Sequence, residues 1–193
     1  MGPVTGVLAL QGAFAAHTAA LARCGTVVRD VRTPEDLAAV NALVLPGGES
    51  TTICKLLVLS GLRDAIEARL AGGMPVLGTC AGLIVLSSSI VDGRPDQFCL
   101  GAIDVTVRRN GFGRQRDSFE TDLAVPGGND PMRAVFIRAP RIVRCGESVE
   151  VVASLDGEPV LVRHGNALGA TFHPELSGDD RIHRHFVGFL AEV

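Results

Sequence analysis

Cys80 is the residue of this sequence that is best placed to do chemistry, because glycine stands two positions before it and two positions after it. The apolar run 75–77 predicts a buried strand, and residues 83–86 predict the opening of a helix. A nucleophile between a strand and a helix, among small residues, is typical of a nucleophile elbow. The aligned peptide dipoles of the helix would favour the thiolate, the reactive form of cysteine. We therefore predict a nucleophile at Cys80, with a buried structural cysteine as the alternative.

A thiol nucleophile needs a base, and the base needs a third group that orients it. His173 is the candidate base, because it follows a predicted strand and precedes Pro174 and Glu175. Proline keeps the preceding residue out of helical conformation, and side chains two apart in an extended chain point to the same side. The sequence therefore predicts that Glu175 orients His173. The alternative is an ordinary loop histidine beside a solvated glutamate.

The remaining histidines and cysteines are weaker candidates. His183 and His185 lie two apart on a predicted helix, hence on different faces, and His17 and His164 are interpreted as surface residues. We therefore expect no metal site. Five cysteines with no C-x-x-C pattern indicate a reducing compartment, and four of them are interpreted as structural: Cys24, Cys54, Cys99 and Cys145.

Attack by Cys80 on a carbonyl would also require N–H donors for the developing oxyanion. The amide of Ala81, directly after the nucleophile, is one donor by the logic of the elbow. The loop 46–50, Pro-Gly-Gly-Glu-Ser, can present a second amide closely because its glycines carry no Cβ. The alternatives for this loop are a phosphate cradle or a plain turn. It lacks the Lys-Ser/Thr pair of a P-loop, which disfavours nucleotide binding.

These groups must be positioned by a sheet, and the first half of the chain predicts one. Strands at 4–10, 26–31 and 42–45 alternate with helices that begin at Phe14, at Thr33-Pro34 and after the 46–51 loop, with another at 63–70. This alternation is typical of a doubly wound parallel sheet. Catalytic groups gather at the carboxyl ends of such strands, where Gln11, Gly47-Gly48 and Cys80 stand.

The second half predicts strands joined by turns, in part antiparallel. They lie at 102–107, 119–125, 134–137, 149–154, 159–162 and 167–172, and a last helix covers about 179–191. No linker, repeat or low-complexity tract interrupts the chain. We therefore predict a single domain over residues 1–193, a βαβ core with a β-rich extension.

Composition excludes several classes of function. A hydrophobic content of 47% with 20% charged residues is that of a globular protein. The net charge of −3 and the lack of a basic run argue against a nucleic-acid partner. No apolar stretch is long enough to span a bilayer, and the first residues lack the cationic start of a signal peptide. We expect a cytoplasmic protein with no membrane partner.

Three segments together resemble class I glutamine amidotransferase domains: PGGEST at 46–51, GTCAG at 78–82 and FHPEL at 172–176. More narrowly, LQG at 10–12, RN at 109–110 with FGRQ at 112–115, and FIRAP at 136–140 resemble the glutaminase subunits of two-component pyridoxal 5′-phosphate synthases. The resemblance extends over essentially the whole chain. It implies an α/β, three-layer, flavodoxin-like fold, with a mostly parallel central sheet flanked by helices and additional antiparallel strands in the second half.

The resemblance also implies a reaction. Cys80 would attack the side-chain carboxamide of L-glutamine, and the amides of Gly48 and Ala81 would hold the oxyanion. His173, oriented by Glu175, would protonate the departing ammonia and then activate water against the thioester. The ammonia would pass to a separate pyridoxal 5′-phosphate synthase subunit. Pyridoxal 5′-phosphate is then the product of the partner complex, and no cofactor is expected in this chain.

Residues that would bind L-glutamine are also implied by the resemblance. Arg109 could face the substrate α-carboxylate, with a surface cation as the alternative. Gln11 could steady the oxyanion loop, with a strand-end amide as the alternative. The implied glutamine-binding residues are Gly47, Gly48, Glu49, Arg109, Ile137 and Arg138.

Three other interpretations are less favoured. DJ-1-like cysteine proteins share the elbow, but they tend to carry histidine and glutamate where this chain has Ala81 and Gln11. A glutaminase subunit for another biosynthetic pathway is disfavoured by the FIRAP and FGRQ segments. A non-catalytic regulatory partner would require a broken site, whereas all three triad positions carry functional residue types.

Overall fold

The computed structural model describes residues 3–109, 111 and 118–190, so the FGRQ segment at 112–115, Asn110 and the end of the last predicted helix lie outside the described residues. The strands are β1 (Val4–Leu8), β2 (Val27–Val31), β3 (Ala42–Leu45), β4 (Val76–Thr79), β5 (Ser87–Ile90), β6 (Ile103–Arg108), β7 (Ser118–Leu123), β8 (Met132–Ile137), β9 (Arg141–Cys145), β10 (Glu150–Leu155), β11 (Glu158–His164) and β12 (Ala167–Ala170). The helices are α1 (Phe14–Arg23), α2 (Pro34–Ala38), α3 (Ser50–Leu59), α4 (Leu62–Ala71), α5 (Ala81–Leu86) and α6 (Arg181–Phe189), with a 3₁₀ helix at Pro174–Leu176.

The central sheet has seven strands in the order β10-β11-β12-β4-β3-β1-β2. The five strands from β12 to β2 pair in parallel, whereas β11 pairs antiparallel with both β10 and β12. A three-stranded sheet (β5-β6-β9) and a two-stranded sheet (β7-β8) complete the β structure. The predicted fold class, a mostly parallel sheet with added antiparallel strands, is confirmed.

Helices pack on both faces of this sheet because successive strand residues point to opposite sides. In β1, Val7 belongs to the apolar cluster that contains Leu21 of α1 and Phe186 of α6. Its neighbour Leu8 belongs to the cluster that contains Ile66 of α4. The continuous apolar runs of the sequence thus mark strands buried on both faces. No helix of the described part of the chain is long and apolar enough to cross a membrane.

Each predicted strand and helix is present, with ends that differ from the prediction by up to two residues, and the structure has two strands that were not predicted. Thr33 caps α2 as predicted: its Oγ accepts from the amide of Asp36, whose carboxylate accepts from the amide of Thr33. The helix after the nucleophile begins at Ala81 instead of Leu83. Sequence analysis missed β5 and β9. Strand β5 is a serine-rich segment that follows α5 with no turn residue between them, and β9 carries two arginines.

The pairing order brings four strand ends together. Strands β12, β4, β3 and β1 are consecutive neighbours and parallel, so their carboxyl ends lie at one edge of the sheet. His173 follows β12, Cys80 follows β4, Gly47-Gly48 follows β3 and Gln11 follows β1. Residues far apart in the sequence are therefore placed around one point.

Helix α5 approaches β3 closely at Gly82, and a substitution there can test how close this approach must be. A Cβ at Gly82 would lie 2.0 Å from the carbonyl oxygen of Leu45, a backbone atom that cannot move aside. We expect Gly82→Ala to lower the free energy of unfolding by about 1–3 kcal/mol or more. The control is Gly188→Ala on α6, where a Cβ meets nothing within 4 Å and the change should be neutral or stabilising by up to about 1 kcal/mol. The measurement is urea unfolding followed by far-ultraviolet circular dichroism, because the chain has no Trp or Tyr. Equal effects of the two substitutions would contradict this account.

Candidate active site

Cys80 forms the corner between β4 and α5. Its backbone has φ of 48° and ψ of −106°, a conformation that non-glycine residues adopt only when their surroundings impose it. The surroundings here include β12, because the Cys80 amide donates to the carbonyl oxygen of Ala170 at 2.8 Å. The side chain is buried, and Sγ lies 3.9 Å from the carbonyl oxygen of Ile137. The chain thus has the strand–turn–helix corner that the sequence predicts.

His173 lies beside Cys80 and is held from both ends. Its amide donates to the carbonyl oxygen of Val135 on β8 at 2.8 Å. Its Nδ1 lies 2.8 Å from Oε1 of Glu175, and its ring lines the same cavity as Cys80. The Glu175 side chain is fully buried. The three predicted triad residues therefore lie together, with His173 hydrogen-bonded to Glu175 and beside Cys80 at the cavity wall.

The groups around His173 favour the protonated form of its ring. Burial lowers the pKa of His173, but hydrogen bonds with Cys80 and Glu175 outweigh burial and raise the pKa to about 10. Burial alone would raise the pKa of Glu175. The hydrogen bond from His173 and the neighbouring imidazoles outweigh burial and hold that pKa below its ordinary value. A protonated imidazole that is hydrogen-bonded to a carboxylate can later donate its proton to a leaving group.

The loop after β3 lies against these residues. Gly48 has φ of 156°, and a Cβ there would lie 2.4 Å from Oε1 of Gln11. That same Oε1 accepts a hydrogen bond from the amide of Glu49 at 3.1 Å. Gly47 packs against the ring of His173, since a Cβ at Gly47 would be 2.4 Å from Cε1. Gln11 thus contacts the loop that it is predicted to steady.

The predicted oxyanion donors are the amides of Gly48 and of Ala81, the first residue of α5. The first amides of a helix have no carbonyl partner within the helix, so the Ala81 N–H is available to another acceptor. Both Ala81 and Gly48 line the cavity beside Cys80. The roles of these two amides stay predictions.

Arg109 reaches the cavity from the end of β6. Its Nη2 donates to Oε1 of Glu49 at 2.8 Å, and its Nη1 lies 3.4 Å from Oε1 of Gln97. Glu49 in turn caps α3 by accepting from the amide of Thr52 at 3.0 Å. Burial opposes ionisation of Glu49, but hydrogen bonds from Thr51 and Thr52 and the charge of Arg109 lower its pKa. The guanidinium is therefore paired with an ionised carboxylate.

These groups surround one cavity of about 320 Å³, the size expected of a small-molecule site. Strand β8 closes one side, where Ile137 ends the strand and Arg138 turns the chain with φ of 43°. Gly47 and Glu175 do not line the cavity, and both contact the ring of His173. The predicted residues that line the cavity are Gln11, Gly48, Glu49, Cys80, Ala81, Arg109, Ile137, Arg138 and His173.

The prediction for His17 was wrong. His17 is fully buried, with Nδ1 3.0 Å from Nε2 of His183 and Nε2 3.3 Å from Oε2 of Glu175. Helical spacing could have shown this, because Ala20 and Leu21 follow His17 by three and four residues on the buried face of α1. His164, also predicted at the surface, is half-buried.

The other sulfur and metal predictions concern residues outside the cavity. The five cysteines are free thiols, and burial raises the pKa of Cys24, Cys54, Cys99 and Cys145, which suits structural thiols. Within residues 3–109, 111 and 118–190, no group of three or more His, Cys, Asp or Glu side chains could hold a metal ion.

Comparison with known proteins identifies the family. Residues 7–192 match the SNO glutamine amidotransferase family. The chain belongs to that family. It is 56% identical over 190 residues to the pyridoxal 5′-phosphate synthase subunit PdxT of Mycobacteroides abscessus, covering 98% of each chain. It is also 56% identical to the PdxT subunit of Streptomyces coelicolor, covering 97% of this chain and 94% of that one.

Solved structures agree with this assignment to the SNO glutamine amidotransferase family. A crystal structure of a glutamine amidotransferase superposes with a TM-score of 0.90 at 50% identity, covering 98% of this chain and 99% of that chain. The structure of PurLQS from Thermotoga maritima superposes with a TM-score of 0.69 at 17% identity, covering 98% of this chain and 100% of the other, and shows the shared fold alone.

The coupling between Cys80 and His173 can be measured directly in this SNO-family chain. Because the hydrogen bond with Cys80 raises the pKa of His173, we expect Cys80→Ala to lower that pKa from about 10 towards the ordinary value. The measurement is an NMR titration of the His173 ring protons in both proteins. Cys145→Ala removes a thiol outside the cavity and should leave the titration unchanged. An unchanged titration in Cys80→Ala would show that the two side chains are not coupled.

Proposed function

We propose that this chain hydrolyses L-glutamine to L-glutamate and ammonia in the cavity at Cys80, and that it delivers the ammonia to a separate synthase subunit that makes pyridoxal 5′-phosphate. The observation that carries the proposal is the grouping of Cys80 and His173 at the wall of a cavity of about 320 Å³, with Glu175 hydrogen-bonded to His173. The relatives named pyridoxal 5′-phosphate synthase subunit PdxT supply the pathway.

The first step is attack of the Cys80 thiolate on the carboxamide carbon of glutamine. The C–S bond forms while the carbonyl π electrons move to oxygen, giving a tetrahedral oxyanion. The amides of Gly48 and Ala81 are the proposed donors to this oxygen. Each such donor contributes about 3–4 kcal/mol to lowering the barrier, since it stabilises charge that is absent from the ground state.

The second step is collapse of the tetrahedral intermediate. His173 donates its proton to the amide nitrogen, the C–N bond breaks, and ammonia leaves a γ-glutamyl thioester on Cys80. The neutral imidazole then takes a proton from water, whose oxygen attacks the carbonyl carbon of the thioester. The C–S bond breaks, Cys80 leaves as the thiolate beside the reprotonated His173, and glutamate is released. Glu175 fixes the ring and stabilises its charged form in both directions, which a buried carboxylate 2.8 Å from Nδ1 can do.

The amino-acid end of the substrate fits the ion pair at the mouth of the cavity. Arg109 supplies a guanidinium that can bind an α-carboxylate in a bidentate manner. Glu49, ionised and half-exposed, can accept from an α-ammonium group. A free amino acid carries both of these charges, so the pair suits glutamine better than a simple amide.

The partner and the compartment complete the proposal. Ammonia would pass to the synthase subunit of a hetero-oligomer, and pyridoxal 5′-phosphate would form there, so the chain needs no cofactor of its own. Neither a metal, a nucleic acid nor a membrane takes part in the chemistry. The free thiols suit the reducing cytoplasm, where we place the reaction.

The primary test is glutamate release from L-glutamine by the purified chain, with and without the synthase subunit from the same organism, and with Cys80→Ala as the blank. We expect release that depends on Cys80 and rises when the synthase is added, because the partner receives the ammonia. Release that is indifferent to that synthase would reassign the pathway. Folded protein that releases no glutamate in either condition would overturn the proposed function.

Arg109 is expected to act on substrate binding. Arg109→Met keeps much of the side-chain length but removes the charge, and we expect the KM for L-glutamine to rise about 10-fold or more, as for loss of a charge-assisted hydrogen bond. The control is Arg94→Met, because Arg94 pairs with Asp96 at an exposed site away from the cavity lining. The measurement is the initial rate of glutamate release over a range of glutamine concentrations, which gives KM for each variant. An unchanged KM in Arg109→Met would remove Arg109 from the binding site.

A further inference from the structure

Glu175 has one carboxylate oxygen that the Cys–His–Glu arrangement leaves unused. Oε1 faces His173, whereas Oε2 is fully buried and makes no hydrogen bond of standard geometry with any described residue. A buried carboxylate oxygen without a donor is strongly unfavourable. The group that approaches Oε2 is the imidazole of His17, whose Nε2 lies 3.3 Å away.

The imidazole of His17 connects three elements beneath the cavity. Nε2 is hydrogen-bonded to Oγ1 of Thr79, the residue before the nucleophile, at 3.1 Å, and lies 3.3 Å from Oε2 of Glu175, within ion-pair distance. Nδ1 lies 3.0 Å from Nε2 of His183 on α6. Both histidines are completely buried. A chain of polar groups therefore runs from His183 through His17 to Glu175.

The hydrogen bonds of this chain fix the tautomers. If His17 carried its proton on Nδ1, its bare Nε2 would face the Glu175 carboxylate, and lone pairs would oppose each other. His183 would then need its proton on Nδ1, a buried atom with no partner among the described residues. With the proton of each ring on Nε2, His183 donates to Nδ1 of His17, and the N–H of His17 donates to Oγ1 of Thr79 with Oε2 of Glu175 3.3 Å from the same nitrogen. Only this arrangement leaves no N–H of the two rings unpaired.

Burial favours the neutral form of both rings, so the orientation of one ring can determine that of the other. Burial is the largest influence on each, and it lowers the pKa of His17 and lowers that of His183 to about 4. A neutral imidazole has one donor and one acceptor, so fixing one nitrogen fixes the other. Packing of α6 against α1 thereby determines which nitrogen of His17 presents a proton to Glu175.

We propose that His17 is a positioning residue of the glutaminase reaction: its Nε2–H, oriented by His183, holds the Glu175 carboxylate so that Oε1 keeps the His173 ring directed at Cys80. The inference rests on the proposed function. Without the second donor, the carboxylate could rotate towards other donors, and His173 would lose the fixed partner of its Nδ1.

The kinetic test compares three substitutions in the complex with the synthase subunit. His17→Leu fills the volume but has no donor, whereas His17→Gln offers an N–H at a similar reach. Thr18→Val, next on the same helix, removes a buried hydroxyl that has no partner among the described residues and serves as the control. We expect kcat to fall about 10- to 100-fold in His17→Leu with KM little changed, partial recovery in His17→Gln, and wild-type rates in Thr18→Val.

The outcomes separate this inference from the proposed function. An active wild type with an unaffected His17→Leu overturns only the role of His17, as does an equal loss in His17→Leu and His17→Gln that follows the loss of folded protein by circular dichroism. A wild type that releases no glutamate with the synthase overturns the proposed function itself.

A spectroscopic test needs no activity. Long-range ¹H–¹⁵N correlation spectra of the wild-type chain report which ring nitrogen is protonated. We expect His17 and His183 to be neutral and protonated on Nε2 from about pH 6 to about pH 8. A proton on Nδ1 of His17 would overturn the inference.

Discussion

The position of β4 between β3 and β12 is the constraint on which the candidate site depends. All three strands are parallel and buried, so their carboxyl ends are fixed at one edge of the sheet to within the tolerance of backbone hydrogen bonds. The bond from the Cys80 amide to Ala170 continues this pairing one residue past β4, into the corner itself. The nucleophile, the base after β12 and the loop after β3 therefore share one rigid frame, as near-attack geometry requires.

Burial of charge is the second requirement, and it explains how deep the polar network extends. A carboxylate and an imidazolium removed from water are tolerated only when each is paired and hydrogen-bonded. Glu175 has His173 on one oxygen and His17 at the other, and His17 is in turn held by His183. On the core side, Oε1 of Glu175 is thus hydrogen-bonded and Oε2 has His17 within ion-pair distance, whereas Cys80 and His173 line the cavity on the other side.

The sequence predicts those parts of the site that rest on local patterns. The glycines around Cys80 and the proline after His173 each constrain the backbone within two residues, so both features can be read from short segments. The contacts that sequence analysis missed join distant residues: His17 and His183 are 166 positions apart. The Arg109–Glu49 pair spans 60 positions and follows from strand order, which local spacing does not determine. Sequence analysis missed strands β5 and β9 for a related reason. Their polar residues form strands because of the strands beside them, and their own sequence does not alternate between apolar and polar residues.

Backbone strain distinguishes the candidate site from the rest of the fold. Among the described residues other than glycine, positive φ occurs at Cys80, Arg138 and Asp156. Asp156 precedes Gly157 in the two-residue connection between β10 and β11, where Asp-Gly is the expected hairpin turn and the conformation has a local cause. Cys80 and Arg138 have no such cause: both line the cavity, and the conformation of Cys80 is held by the strands around it. Positive φ at a side chain that must face a substrate is stable only when packing elsewhere compensates for it. The buried sheet supplies that packing for Cys80, which stands where β4 ends, whereas Arg138 stands at the end of β8 in the separate two-stranded sheet.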